Sequence, residues 1–135
     1  MPIFPLSLFV LVLALALYDL RARRLPNAVT LPLLITGLAL GFPGSPALWL
    51  GTILLFAAWH TGGLGGGDAK LWMALLWLAP KEQAGAALAV MALAFTGTAA
   101  LQLAWRVFRK RRILGVRSPG AWRALPFALW LLFLK

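Results

Sequence analysis

Six apolar runs dominate this chain, at residues 3–18, 28–42, 47–61, 69–80, 84–105 and 124–134. Each is nearly free of charge, so each must be buried against other protein or against lipid. Between them stand short breaks: DLRARRLPN (19–27), GFPGSP (41–46), a glycine stretch (62–67), PKEQ (80–83) and the basic segment 106–123. Pro26 stops a helix from continuing through the first break, and Gly with Pro makes the second a turn. A membrane-crossing helix needs about 20 residues. The fourth and sixth runs fall short of that. The glycine stretch is therefore expected to form part of helix four, and the sixth helix to be tilted or partly embedded. The expected fold is all-α: a polytopic membrane protein of about six transmembrane helices, with residues 1–135 as a single integral-membrane domain. There is no soluble domain, linker or internal repeat to read.

Composition supports this. The chain is 62% hydrophobic with mean hydropathy +0.89, well above a soluble domain. It carries 13 Lys and Arg against 3 Asp and Glu, a net charge of +10. Basic clusters between long apolar runs report membrane orientation, and no nucleic-acid partner is expected. With no cysteine there is no disulfide framework, thiolate metal site or thiol nucleophile, and His60 alone cannot build a histidine metal cluster. No metal or cofactor is expected. Residues 3–18 invite comparison with a signal peptide, but the positive charges follow the apolar run instead of preceding it. They are read as a retained helix.

Charge then assigns sidedness. The first break holds Arg21, Arg23 and Arg24, and the third leads into Lys70. The fifth holds Arg106, Arg109, Lys110, Arg111, Arg112, Arg117 and Arg123. The second has no charge, and in the fourth Lys81 is balanced by Glu82. Odd-numbered loops are basic and even-numbered ones are not, so the odd loops are expected in the cytoplasm and both termini outside.

That topology puts two of the three acids, Asp19 and Asp68, at one depth on the cytoplasmic face. Glu82 falls in an external turn. Taken alone, Asp19 is equally a partner for Arg21 or Arg23, and Asp68 equally an N-cap for helix four. Taken together, two carboxylates in a poorly hydrated site share one proton. One then deprotonates a water while the other protonates a carbonyl oxygen or leaving amine. This is the chemistry of aspartic proteolysis, and neither residue is assigned the acid role. Glycines beside Asp68 would let a substrate backbone approach closely, and an extended peptide could lie beside them as an added strand. A plain hinge or a helix-packing surface is the other reading of the same glycines.

Asp19-x-Arg-x-Arg-x-Leu25-Pro26-Asn27, followed by Gly65-x-Gly67-Asp68-Ala-Lys70-Leu, resembles the type IV prepilin peptidase family of GxGD membrane aspartic proteases. Leu125-Pro-Phe is similar to the start of that family's last helix. The resemblance implies catalytic Asp19 and Asp68, with Gly65, Gly66, Gly67, Lys70, Pro26 and Asn27 on the substrate side. It implies cleavage of the short basic leader of type IV prepilin-like precursors at the cytoplasmic face of the bacterial inner membrane. Pilus or type II secretion assembly proteins would be partners. The chain is similar to the short members that serve tight-adherence (Flp-type) pili. The N-methyltransferase activity of the long, cysteine-bearing members is not carried over. Two rival readings stay open here: a non-proteolytic pilus-assembly component, and a small proton-coupled transporter.

Overall fold

The computed structural model describes residues 3–22, 25–108 and 120–134. Among these there are six α-helices and no strand. They are α1 (Ile3–Ala22), α2 (Asn27–Gly41), α3 (Pro46–His60), α4 (Gly66–Trp77), α5 (Ala84–Phe108) and α6 (Leu125–Phe133). Single 3₁₀ turns, Lys81–Gln83 and Ala121–Ala124, lead into α5 and α6. Each helix lies on one of the six apolar runs. Arg23, Arg24 and the cluster from Arg109 to Arg117 lie outside the described residues.

Local chemistry sets the boundaries. Phe42 ends α2 in an extended conformation ahead of Pro43, a residue that disfavours helix before it. Ser45 then opens α3, its Oγ accepting from Leu48 N at 3.5 Å, with Pro46 in the first turn. Gly65 precedes α4 in an extended conformation, so Gly66 and Gly67 belong to the helix.

Helix α4 is the hub, packed by α2, α3 and α5. Leu71, Trp72, Ala74, Leu75, Leu76 and Trp77 are all buried. Helix α2 comes close because Gly37 and Gly41, four residues apart, present no side chain to it. A Cβ on Gly37 would lie 2.9 Å from Ala74 O, and one on Gly41 2.7 Å from Trp77 Cε3. Small residues at this spacing let helix backbones approach. Trp77 donates to Thr52 Oγ1 at 2.8 Å and meets Trp49 edge-on at 5.1 Å, which ties α3 to the same helix. Trp72 packs against Phe95 of α5 and Phe127 of α6 at 6.1 and 6.0 Å. Helix α6 also lies along α1.

The breaks gather at two ends. Lys70 Nζ donates to Asn27 Oδ1 at 2.9 Å, and Gly120 N donates to Asp19 Oδ2 at 2.9 Å, so the first, third and fifth breaks share one end. Lys81 Nζ reaches Phe42 O at 3.2 Å, which joins the second and fourth breaks at the other.

Helix length departs from expectation. Among the described residues one segment, Lys81–Trp105, is long and apolar enough to cross a membrane by itself. Helices α2 and α3 have 15 residues each, about 22 Å at 1.5 Å per residue, against a hydrocarbon core of about 30 Å. Hydropathy counts apolar residues in the turns as part of the spans. The Gly-Phe-Pro-Gly-Ser-Pro stretch, whose extended Phe42 and Ser45 flank the break, ends those helices early.

Candidate active site

Asp19 sits in the last turn of α1 and is buried, 4% exposed. Its Oδ2 accepts two backbone hydrogen bonds, from Gly120 N at 2.9 Å and Ala121 N at 3.2 Å. These donors stand at the start of the 3₁₀ turn Ala121–Ala124, where N–H groups have no partner within the turn and suit an anion. The carboxylate is thus taken up by backbone from the far end of the chain and makes no ion pair with Arg21 among the described residues.

Asp68 is the third residue of α4 and is half-buried. The cap position belongs to Gly65, so Asp68 is not the N-cap. Its carboxylate lies against Gly120. A Cβ built on Gly120 would stand 2.6 Å from Asp68 Cγ and closer still to Oδ2, which real side chains do not tolerate. Gly120 therefore touches both acids, Asp19 through its N–H and Asp68 through its bare Cα. Asp68 is close enough to Asp19 and Arg123 to feel the charge of each. Arg123 donates to Gln102 Oε1 and lies 5.9 Å over the Phe95 ring, which holds the 3₁₀ turn to α5.

The remaining motif residues join the first break to the start of α4. Leu25 packs on Gly67, where a Cβ would come within 2.8 Å of the leucine Cβ. Asn27 accepts from Lys70. Pro26 O accepts from Val29 N, Thr30 N and Thr30 Oγ1, and Thr30 is fully buried. Gly66 faces the Trp59 indole, and a Cβ on it would come within 3.2 Å of the indole nitrogen. Gly65 is exposed, and a side chain on it would meet Asp68 Oδ2 at 3.0 Å. Of the glycines expected beside a substrate, Gly65 is thus the one on the surface next to the carboxylate, while Gly66 and Gly67 already face Trp59 and Leu25. His60 is exposed and stacks on Phe56 at 6.4 Å. Glu82 is exposed in the turn Lys81–Gln83.

Sequence reasoning missed Gly120, Ala121 and Arg123 as members of this cluster. Its one available signal was Pro119-Gly120 inside the last basic segment, which reads as a turn and says nothing of where the turn lands.

Comparisons with curated proteins and with solved structures return no match. A model of the type IV leader peptidase family does match, over residues 6–104. The matched region contains α1 through most of α5, with both acids and the Leu-Pro-Asn and Gly-x-Gly-Asp segments that the structure packs together, and on this match the chain belongs to the type IV leader peptidase family.

Proposed function

We propose that this peptidase is an aspartic endopeptidase of the bacterial inner membrane that removes the short basic leader of type IV prepilin-like precursors at the cytoplasmic face. The observation that carries the reading is the meeting of Asp19 and Asp68 around Gly120. Two carboxylates so placed share a proton. The ionised member takes a proton from water, and the resulting hydroxide oxygen bonds to the scissile carbonyl carbon. The protonated member gives its proton to the carbonyl oxygen. Collapse of the diol breaks the C–N bond, and the pair returns a proton to the departing amine. Gly65 borders the path of the substrate backbone, and Gly66, Gly67, Pro26, Asn27 and Lys70 form the wall behind it.

The membrane part of the reading rests on an outer surface that is apolar where a soluble protein would be polar. Leu6, Val10 and Leu17 of α1, Leu50 and Ile53 of α3, and Leu93 and Leu101 of α5 are all exposed. Patches on this scale mark contact with lipid or other protein. The clustering of Asp19, Arg21, Lys70 and Arg123 near one end fits the charge rule that sends that end to the cytoplasm. A cysteine at Gln83 is expected to react with an impermeant thiol reagent on cells with a permeabilised outer membrane, and one at Arg21 to stay unlabelled until the inner membrane is broken. Labelling of the Arg21 site from outside reverses the orientation.

Two glycine variants separate the active-site wall from the turn before it. Gly62 has φ +78 and open space around it, so Gly62→Val adds strain of about 1–2 kcal/mol at the turn. Gly67→Val drives a branched side chain into Leu25 and shifts the first break from α4. At equal membrane yield, precursor processing is expected to fall about 10-fold or more further in Gly67→Val than in Gly62→Val, read by gel shift of a co-produced precursor. Equal processing in the two removes Gly67 from the site.

A further inference from the structure

The two acids are supplied by α1 and α4, yet what holds them in register comes from neither helix. Gly120 and Ala121 give their N–H groups to Asp19 Oδ2, and the same Gly120 offers Asp68 a surface without a side chain. Gly120 is buried and has φ −108, a conformation open to any residue, so the demand for glycine here is for space and not for an unusual backbone angle. Arg123, three residues on, fastens the turn to Gln102 and Phe95. Gly120, Ala121 and Arg123 themselves lie beyond residue 104, where the family match ends.

We propose that the 3₁₀ turn Ala121–Ala124 with its leading Gly120 is a third wall of the catalytic centre, and that Gly120 is a positioning residue setting the separation of Asp19 and Asp68. The inference deepens the peptidase reading and rests on it for its activity test. It does not depend on that reading for its structural test. A methyl at position 120 keeps the N–H to Asp19 and pushes on Asp68 alone. A displacement of about 1 Å in a catalytic group costs on the order of 10²-fold in rate.

In purified enzyme cleaving a prepilin-like precursor in liposomes, Gly120→Ala is expected to lower kcat by about 100-fold with KM within about twofold of wild type. Gly97→Ala, a glycine on α5 with no atom near its missing side chain, is the control and is expected to behave as wild type. Wild-type kcat in Gly120→Ala, or a loss carried by KM alone, overturns the proposal. The second measurement needs neither activity nor a folded Gly120→Ala. In nanodiscs, the Gly120 and Ala121 amides of the wild-type chain are expected to exchange slowly, and to lose that protection in Asp19→Ala while the α3 amides keep theirs. Fast exchange of the two amides in the wild type, or protection that survives Asp19→Ala, overturns it whether or not a precursor is ever cut.

Discussion

Asp19→Asn and Asp68→Asn are each expected to cut precursor processing by about 10³-fold or more while leaving membrane yield close to wild type. The rate term follows from chemistry, because an amide neither takes a proton from water nor gives one to a carbonyl oxygen, and positioned acid–base groups contribute about 10²–10⁴-fold. Preservation of the fold follows from geometry. Asn at position 19 keeps an oxygen that accepts from Gly120 N and Ala121 N, the two bonds Asp19 makes. Asn at 68 is the same size as Asp and fits the space left by the missing side chain of Gly120. Glu82→Gln is the internal comparison. Glu82 is exposed in the turn that joins the opposite end of the bundle, where Lys81 meets Phe42, and its loss is expected to leave processing unchanged. A gel shift from precursor to mature protein reads all three. Normal processing by either Asp variant removes that residue from the catalytic pair.

The second large effect concerns the fold. Trp77→Ala is expected to destabilise the folded protein by about 3–5 kcal/mol, the usual cost of emptying a buried aromatic site. Trp77 is 1% exposed and fills the space that Gly41 and Gly44 leave open, while its ring meets Trp49 and its indole N–H is held by Thr52. Removing it opens a cavity between α2, α3 and α4 and leaves the Thr52 hydroxyl without that donor. Trp77→Phe keeps most of the packing and loses the hydrogen bond, for about 1 kcal/mol beyond the smaller ring. Unfolding of the detergent-solubilised protein in increasing dodecyl sulfate compares the two. A Trp77→Ala variant as stable as Trp77→Phe contradicts the packing role.

Much of this architecture was legible because hydrophobicity and charge act locally. Each apolar run became a helix, and the prolines at 26, 43, 46 and 80 stand where helices stop or start. The alternation of basic and uncharged breaks placed Asp19 and Asp68 at the same end, and the Lys70–Asn27 and Lys81–Phe42 contacts lie at the two ends that alternation requires. Helix length was not legible, since hydropathy does not register where the backbone turns. Nor was the partner of Asp19, which is 101 residues away in sequence. That contact depends on how α6 settles along α1, a packing outcome with no periodic signal. The glycine run carried two meanings that sequence does not separate: positive φ at Gly62, and close approach at Gly67, where Leu25 fills the space.

The most direct measurement is cleavage by the purified wild-type protein. The protein is reconstituted in liposomes, mixed with a type IV prepilin-like precursor bearing a short basic leader, and the products are weighed by mass spectrometry. The account predicts two fragments divided at the leader junction with one water added across the bond, formed about 10³-fold or more slowly by Asp19→Asn or Asp68→Asn protein at equal reconstitution. An intact precursor in the presence of folded wild-type protein, or the same two fragments formed at the wild-type rate by an Asp variant, contradicts it.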